Sequence, residues 1–325
     1  MRKKCLVLIS GGLDSALAAR LMQRLGFETE GIAFLTSFQP IPRGGRSHSE
    51  EVCGRLGIPL HLVPLDEPFL EIVRSPRYGR GKHLNPCIDC KVLMLRSAWE
   101  KAREIGAEFL VTGEVLGQRP MSQNLSALRQ IEKASGLKGL IFRPLSARFL
   151  DPTRPEQVGL IDRESLPAVQ GRGRKLLLAL AAELGVSGFS TPAGGCLLTD
   201  DGFCRRLSDL MELDLFRGGE VDLVKVGRYL RLGPRLRLIV GRSENENRYL
   251  LERAGGRVRL EALGSGPAAV VLGRPGRADL LKAAAIVAAY TDESAAGPVP
   301  VRISDPVETV TASALDRSEV AGLFI

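Results

Sequence analysis

The sequence predicts a two-domain α/β protein, with a Rossmann-like parallel sheet first and a smaller α+β domain after it. Strand-like apolar runs alternate with helical patterns through the first half of the chain, which is typical of βαβ units. From about residue 217 the composition shifts toward arginine and toward runs that resemble antiparallel strands. The 325 residues are enough for two hydrophobic cores. We place the domain boundary between residues 205 and 206.

Strands and helices follow one another along the first domain. Strands that are separated by helices favour a parallel sheet with right-handed crossovers. Ligands of such sheets bind beyond the carboxyl ends of the strands. The strand-like runs are Cys5–Ile9, Gly31–Leu35, Leu60–Pro64, Phe109–Thr112 and Leu140–Leu145, and the helical patterns are Ser15–Leu25, Ser47–Leu56, Val92–Ile105 and Gln123–Ala134.

A glycine-rich turn, Ser10-Gly11-Gly12-Leu13-Asp14-Ser15, connects the first predicted strand to the first predicted helix. Successive backbone N–H groups in such a turn, together with the positive end of the helix, favour binding of a phosphate. The glycines let the backbone approach an anion closely, and the serine hydroxyls add donors. Asp14 suits a helix cap or a Mg²⁺ ligand better than a phosphate donor. An ordinary surface turn is the alternative interpretation.

This string lacks the Gly-x-x-x-x-Gly-Lys-Ser/Thr pattern of the Walker A motif. It resembles the PP-loop, Ser-Gly-Gly-x-Asp-Ser, of ATP pyrophosphatases, which have a Rossmann-like (HUP) fold. The resemblance implies that the protein cleaves ATP between its α- and β-phosphates, with Mg²⁺, and adenylates a carbonyl oxygen. The phosphate-binding residues that it implies are Ser10, Gly11, Gly12, Asp14 and Ser15.

Composition and charge limit the class of protein. The apolar fraction of 44% and the charged fraction of 25% are typical of globular proteins. The net charge of +8 and the pI of about 9.4 favour a polyanionic partner. Because no apolar run approaches the roughly 20 residues of a membrane span, we expect a cytoplasmic protein without membrane contact. The three histidines are scattered, which argues against a histidine metal site and a nucleophile–histidine–acid triad.

Cys87 and Cys90 form a Cys-x-x-Cys pair just before the third predicted helix, and Cys196 follows a Gly-Gly in a later loop. A thiolate at a helix start is stabilised by the helix dipole, which predicts a lowered pKa and raised reactivity. The pair fits a redox pair, half a zinc site, a persulfide carrier or part of an iron–sulfur site. Structural zinc needs four ligands, and the sequence contains no second such pair. Two incidental thiols are the remaining alternative.

Further segments resemble tRNA thiouridine synthases. Val111–Gln118, Ser122–Leu125 and Arg143–Leu145 are similar to segments of the 4-thiouridine synthase family ThiI. Asn85–Cys90 is similar to the Asn-Pro-Cys-x-x-Cys motif of the 2-thiouridine-forming family MnmA. Together the resemblance covers about residues 1–205.

This resemblance implies ATP-dependent sulfuration of tRNA. ATP would adenylate a uridine ring oxygen, and a sulfur nucleophile would then displace AMP to leave a thiocarbonyl. The catalytic residues that it implies are Cys87, Cys90, Cys196 and Asp14. We call the glycine-rich turn Ser10–Ser15 the phosphate turn. The nucleotide-binding residues that the resemblance implies outside it are Phe34, Leu35, Lys91, Gly113 and Gln123.

Two sulfur chemistries fit the three cysteines. In one, Cys196 or Cys87 carries a persulfide and a partner cysteine resolves it through a disulfide. In the other, Cys87, Cys90 and Cys196 bind a [4Fe–4S] cluster that keeps one iron open for an extra sulfide. We prefer the cluster because it assigns all three thiols one role. Both chemistries need a sulfur donor, either sulfide or a persulfide carrier such as a cysteine desulfurase.

Two functions of other kinds stay open. A PP-loop synthetase that adenylates a small metabolite shares the phosphate turn but has no use for three cysteines. A non-catalytic RNA- or ribosome-binding protein needs no nucleotide chemistry, and the intact Ser10–Ser15 string argues against that interpretation.

The second domain is marked by an arginine-rich pair of predicted strands. Gly227–Gly233 and Leu238–Asn247 resemble the NFACT-R (DUF814) family of RNA-associated domains. Alternation of arginine and leucine places the arginines on one strand face, where we expect contact with the phosphates of tRNA. A solvated sheet face is the alternative. The expected RNA-binding residues are Arg228, Arg231, Arg235, Arg237 and Arg242.

Other elements of the second domain are predicted from the same kinds of pattern. The strand candidates are Tyr229–Leu232, Leu236–Val240, Val258–Leu260, Ala268–Leu272 and Val299–Ile303, and the helix candidates are Glu244–Arg253 and Ala278–Tyr290.

Overall fold

The computed structural model describes residues 3–41, 46–189, 195–292 and 297–325. The chain packs as two compact units, Met1–Thr199 and Asp200–Ile325. The boundary expected from sequence, between residues 205 and 206, falls inside the first helix of the second unit.

The first unit contains a five-stranded sheet with the order β3-β2-β1-β4-β5. Every neighbouring pair of strands is parallel, which confirms the predicted α/β class. β1 lies at the centre, where the strand order reverses, so its carboxyl end is the topological switch point at which such sheets bind ligands. The strands are β1 (Lys4–Leu8), β2 (Glu28–Leu35), β3 (Leu60–Pro64), β4 (Phe109–Val111) and β5 (Ile141–Phe142).

Helices cover both faces of this sheet. Alternate residues of β1 point to opposite faces, so Val7 packs in the same core as Leu17 of the first helix. Leu6 packs in the other core, with Leu95 of the fourth helix. Burial on both faces is why these strands appear in the sequence as continuous apolar runs. The helices are α1 (Leu13–Arg24), α2 (His48–Leu56), α3 (Asp66–Arg74), α4 (Cys87–Glu104), α5 (Leu125–Ser135), α6 (Arg154–Gln157) and α7 (Lys175–Leu184), with short 3₁₀ helices at Ala147–Phe149, Arg163–Ser165 and Leu197–Thr199.

α4 starts earlier than the sequence pattern predicted. Its periodic apolar face begins at Val92, but the helix begins at Cys87, directly after Pro86. The apolar pattern does not include the first turn, because that turn carries half-buried thiols and a charged residue instead of core side chains. Both cysteines of the pair therefore lie inside the helix.

The second unit contains a six-stranded antiparallel sheet with the order β11-β10-β8-β9-β7-β6. Leu230 and Leu238 share one face of β6 and β7 and pack in a common core with Ala284 of α11. The elements are α8 (Asp201–Glu212), α9 (Gly218–Leu223), β6 (Arg228–Gly233), β7 (Leu236–Val240), α10 (Glu244–Arg253), β8 (Arg259–Ala262), β9 (Ala268–Leu272), α11 (Arg277–Ala288), β10 (Val299–Ser304), β11 (Val307–Ala312) and α12 (Arg317–Ala321). Among the described helices of both units, none has the length and apolar character that a membrane span requires.

Candidate functional site

The phosphate turn follows β1 and is braced by its own serine hydroxyls. Ser15 is buried, and its hydroxyl donates to the carbonyl oxygen of Gly12 over 3.0 Å. The backbone N–H of Ser10 donates to the same hydroxyl oxygen over 3.2 Å. Ser10 is exposed and Gly12 is half-buried, so the turn is open to solvent. Both hydroxyls shape the turn, because Oγ of Ser10 lies 3.2 Å from Oγ of Ser15 and accepts from the N–H of Gly12 over 3.4 Å.

Close backbone contacts tie this turn to two other elements. Gly11 has a φ of +76°, and a Cβ there would lie 2.4 Å from Cβ of His48, at the start of α2. Gly113 follows β4, and a Cβ there would lie 2.4 Å from the carbonyl carbon of Asp14 in the first turn of α1. Real Cβ contacts are not this short, so both positions require glycine. The predicted residue Gly113 is thereby placed directly against the phosphate turn.

The Asp14 carboxyl faces groups that sequence reasoning did not assign to the site. Burial raises the pKa of Asp14, while a hydrogen bond with Gln118 and the charges of Arg174 and Arg119 oppose that rise. Gly12, and not Asp14, is the N-cap of α1, and it makes no side-chain capping bond. The Asp14 carboxylate therefore bonds to Gln118 and lies near the charges of Arg119 and Arg174. Neither arginine lies in a recognisable motif, so the sequence offered no signal for them.

The three cysteines of interest lie within electrostatic reach of one another. Burial raises the pKa of Cys90 to about 12, and the neighbouring Cys196 and Cys87 add to that rise while Lys91 opposes it. Burial also raises the pKa of Cys87, against the charges of Arg119 and Lys91. The lowered thiol pKa predicted from the helix dipole is therefore corrected, because loss of water around the sulfur atoms outweighs the dipole. The charge of Arg119 opposes the rise in pKa of both Cys87 and Asp14, so Arg119 lies near both residues.

The segment that carries Cys196 is held to the loop after β2. The backbone N–H of Leu197 donates to the carbonyl oxygen of Phe38 over 3.0 Å. Phe38 is buried and packs on Phe69 with ring centroids 5.1 Å apart. Residues 190–194 of the predicted cysteine loop lie outside the described residues. The anchored part brings Cys196 to the carboxyl edge of the sheet.

The two residues expected to border adenine differ in exposure. Phe34 is buried in the core, and its carbonyl oxygen accepts a hydrogen bond from Gln39 over 2.8 Å. Leu35 is 41% exposed at the end of β2. Leu35 is the member of the pair that offers an apolar surface to a ligand.

The thiols suit iron in chemical type but not in spacing. Three soft sulfur ligands are the donor set that an iron–sulfur cluster requires. Within residues 3–41, 46–189, 195–292 and 297–325, no three side chains of His, Cys, Asp or Glu are grouped closely enough to hold a metal ion. The cysteines therefore form a set of neighbouring thiols, not a preformed cluster site.

A buried charge network supports Lys91 beside these thiols. Oε1 of Glu114 lies 3.3 Å from Nζ of Lys91, and Oε2 accepts from Nε of Arg143 over 3.0 Å. Arg143 also donates to Glu132 of α5 over 2.5 Å. Burial opposes ionisation of Glu114, but the charges of Lys91 and Arg143 outweigh it and lower its pKa to about 2. The network joins α4 and α5 to the segments that follow β4 and β5.

Gln123 lies in the segment that leads into α5. It is buried, and its side-chain oxygen has no hydrogen-bond partner among the residues that the structure describes. A buried amide oxygen without a donor is costly, so this atom is available to a ligand or to water.

The arginines predicted to contact RNA have different environments in the second unit. Arg237 is 3% exposed and donates two hydrogen bonds, of 2.7 and 2.6 Å, to the carboxylate of Asp209 in α8. Its guanidinium is enclosed inside the unit, which corrects the expectation that it contacts RNA. Arg228 donates to Gly241 and lies over the ring of Tyr290. The exposed members of the set are Arg231, Arg235 and Arg242.

Comparisons with known proteins agree with the resemblances found in the sequence. Residues 1–148 match the family described as Thiamine biosynthesis protein (ThiI), and residues 227–321 match the NFACT protein RNA binding domain. A tRNA-specific 2-thiouridylase MnmA of Trichlorobacter lovleyi is 35% identical over 130 residues, covering 38% of this chain and 36% of that protein. The MnmA of Acidithiobacillus ferrooxidans is 29% identical over 229 residues, covering 67% of this chain and 61% of that protein.

Among solved structures, a 4-thiouridine synthetase–RNA complex with bound ATP is 26% identical, with a TM-score of 0.35, over 57% of this chain and 52% of that chain. The chain spans only 36% to 61% of the length of the two MnmA relatives. The ThiI match contains Cys87, Cys90 and the phosphate turn, and it ends before Cys196.

Proposed function

We propose that this protein is an ATP-dependent tRNA sulfurtransferase, which adenylates a uridine ring oxygen and replaces it with sulfur through Cys87, Cys90 and Cys196. One observation carries the proposal: Cys196, which is far from Cys87 and Cys90 in sequence, lies within electrostatic reach of that pair. Arg119 acts on both Cys87 and Asp14, so the thiols and the phosphate turn share one neighbourhood. The matches to ThiI and to two MnmA proteins support the same reaction class.

The nucleotide would bind at the carboxyl end of β1. Backbone N–H groups at the start of α1 suit the phosphates of ATP. Asp14 suits the Mg²⁺ that accompanies ATP, since hard cations prefer carboxylate oxygen. Leu35 offers an apolar surface for adenine. The residues assigned to the nucleotide are Ser10, Gly11, Gly12, Asp14, Ser15, Leu35, Lys91, Gly113 and Gln123.

Adenylation makes the uridine oxygen a leaving group. The ring oxygen attacks the α-phosphorus of ATP, pyrophosphate departs, and the adjacent ring N–H loses its proton. The terminal sulfur of a Cys196 persulfide then attacks the activated ring carbon, and AMP leaves with the original oxygen. A second cysteine thiolate attacks the Cys196 sulfur, which forms a disulfide and leaves the electron pair of the S–S bond on the ring sulfur. The ring nitrogen regains its proton as the thiocarbonyl forms.

Cys87 is the better resolving thiol of the pair in α4. Both Arg119 and Lys91 favour its thiolate, whereas burial raises the pKa of Cys90 to about 12. A thiolate is the attacking species in thiol–disulfide exchange. A thiol reductant then returns two electrons to the disulfide. A persulfide donor reloads Cys196 by passing its outer sulfur to the Cys196 thiolate, and the donor leaves as a thiol.

The cluster alternative requires the three thiols to come closer together than they do here. A bound [4Fe–4S] cluster would supply a site for an extra sulfide, with Cys87, Cys90 and Cys196 as its ligands. Anaerobic purification followed by iron and sulfide assays separates the two chemistries. Colourless, iron-free protein that still thiolates tRNA supports the persulfide route.

The exposed arginines of the second unit would contact tRNA phosphates. Arg231, Arg235 and Arg242 are exposed, and the match to an RNA-binding domain covers all three. Phosphate contacts of this kind are salt-sensitive and read no base sequence.

The direct test measures pyrophosphate release and thionucleosides together. The reaction contains purified protein, ATP, a persulfide donor, a thiol reductant and tRNA from a strain that lacks the gene for this protein. We expect pyrophosphate to be released only with tRNA and thiouridine to be detectable by mass spectrometry. Cys87→Ser and Cys196→Ser should abolish thiouridine but keep pyrophosphate release. Cys204→Ala, at a buried cysteine of α8, is the matched control. Pyrophosphate release that needs a small metabolite instead of tRNA would overturn the proposal.

A further inference from the structure

A basic and aromatic recess opens beside the cysteine-bearing helix α4. It has a volume of about 450 Å³ and is lined by Arg77, Tyr78, Gln130, Lys133 and Ala134. None of these side chains is acidic. Within the described part of the chain, neither Arg77 nor Lys133 has a carboxylate partner. The recess therefore holds two cations that form no ion pair with a described residue.

A buried carboxylate in the first turn of α4 anchors one wall of this recess. Asp89 is 7% exposed and accepts hydrogen bonds from the backbone N–H groups of Arg77 and Tyr78, each over 3.1 Å. Asp89 lies between Cys87 and Cys90 in the first turn of α4. The helical turn that carries the thiols therefore also anchors the backbone of two residues that line the recess.

The other wall of the recess is a face of α5. Gln130 and Lys133 are three residues apart, which places them on the same side of the helix. Nη2 of Arg96 in α4 donates to the carbonyl oxygen of Ala134 over 2.6 Å and joins the two helices there. The guanidinium of Arg77 lies 5.6 Å from the centre of the half-exposed Tyr78 ring. A rigid helix face, two cations and one aromatic ring thus surround the opening.

We propose that this recess binds the nucleotide that adjoins the target uridine, with its phosphate between Arg77 and Lys133 and its base stacked on Tyr78. The choice of RNA as the occupant rests on the proposed function and on the charge of the recess. Basic side chains that track phosphates, beside an aromatic ring that stacks on a base, form the usual site for single-stranded RNA. These contacts tolerate any base, so the recess positions the uridine at the thiols and does not select the sequence.

The test measures RNA affinity without ATP or a sulfur donor. The protein is titrated into fluorescently labelled tRNA that is pooled from a strain lacking the gene for this protein. The double variant Arg77→Ala/Lys133→Ala should bind at least about tenfold more weakly, with a salt slope reduced by about 0.7 for the one phosphate that the two side chains share. Tyr78→Leu should lose about tenfold, and Tyr78→Phe should bind like wild type because it keeps the ring.

A matched control removes the same charge elsewhere on the first unit. Arg129→Ala/Lys138→Ala changes two cations that line a different cavity and should alter affinity less than twofold. Equal losses in both double variants, or none in Arg77→Ala/Lys133→Ala, would overturn the inference. If only Arg77→Ala/Lys133→Ala loses RNA affinity and wild type makes no thiouridine, the recess assignment stands and the proposed reaction is wrong. If wild type thiolates tRNA and the recess variant binds RNA normally, the proposed reaction stands and the recess assignment is wrong.

Discussion

Nζ of Lys91 lies 3.3 Å from Oε1 of Glu114, and this pair links the cysteine-bearing helix to the end of β4. Glu114 is 2% exposed and also binds Arg143, so it supports Lys91 from inside the unit. Lys91 in turn favours the thiolate forms of both Cys87 and Cys90. A buried carboxylate thereby holds in place the charge that makes the thiols more reactive.

Glu114→Gln should destabilise the first unit, in a pH-dependent way. The pKa of Glu114 is about 2 in the folded chain against an ordinary 4.5, so its stabilising effect is complete above about pH 4.5 and is lost as the pH falls toward 2. We expect a loss of about 3 kcal/mol in the free energy of unfolding near pH 7. Urea unfolding at pH 7 and at pH 3 measures it, with the exposed Glu100→Gln as the control. A pH-independent difference would contradict this explanation.

Lys91→Met should slow alkylation of both cysteines in α4. Removal of its charge raises both thiol pKa values, and we expect iodoacetamide to react about threefold to tenfold more slowly at pH 8. Peptide mass spectrometry reports each cysteine separately. Lys101→Met, near the other end of α4 and paired with Glu104, should leave the rates unchanged. Unaltered rates in Lys91→Met would show that its charge does not reach the sulfur atoms.

Arg119→Ala should slow only one of the two thiols. The charge of Arg119 favours the thiolate of Cys87 and has no comparable effect on Cys90. Alkylation of Cys87 should therefore slow several-fold while Cys90 reacts as before. The same labelling assay measures both residues in one sample. Equal slowing of both thiols would indicate a general disturbance of α4 instead of a local charge effect.

Gly113→Ala should disrupt the phosphate turn. The added Cβ would lie 2.4 Å from the backbone of Asp14, so α1 must shift. We expect a destabilisation of about 1–3 kcal/mol and loss of measurable ATP binding by calorimetry. Gly173→Ala is the matched control, because a Cβ there meets nothing within 4 Å. Retained ATP affinity in Gly113→Ala would mean that the nucleotide does not depend on this turn.

Arg237→Ala and Arg235→Ala should affect different properties. The first removes a buried partner of Asp209 and should cost about 3–5 kcal/mol in the stability of the second unit. The second removes an exposed charge and should leave the melting temperature unchanged while it weakens tRNA binding and reduces its salt dependence. Thermal melts and salt titrations distinguish them. Weak RNA binding by a stably folded Arg237→Ala would reverse these assignments.

Much of the fold could be predicted because its rules act over short stretches of chain. Cys5–Ile9 is apolar throughout since β1 is covered on both faces. The strand and helix patterns of the second domain likewise fall in β6 to β10, α10 and α11. β11 (Val307–Ala312) was missed, because it is an edge strand with few buried side chains. α3 was missed too, since Asp66–Arg74 is a short amphipathic stretch beside a loop rich in proline and arginine.

The candidate site was predictable only in part. Gly11 and Gly12 were found from the glycine-rich string, although only Gly11 has a backbone conformation that restricts the residue type. Cys87 and Cys90 were found because their spacing is distinctive. Asp89 was not assigned a role, although it holds the loop beside the thiols. Its partners are backbone groups, which leave no mark in the sequence.

By itself the sequence determined most of the strands and helices, the glycine-rich turn after β1, and which residues have reactive side chains. Only the tertiary structure decided that Arg237 is enclosed while Arg235 is exposed, and that burial raises the pKa of Cys90. The physical reason is the separation along the chain of the groups that interact. Periodicity and glycine conformation depend on neighbours along the chain, whereas desolvation and charge pairing depend on groups that folding brings together from distant positions.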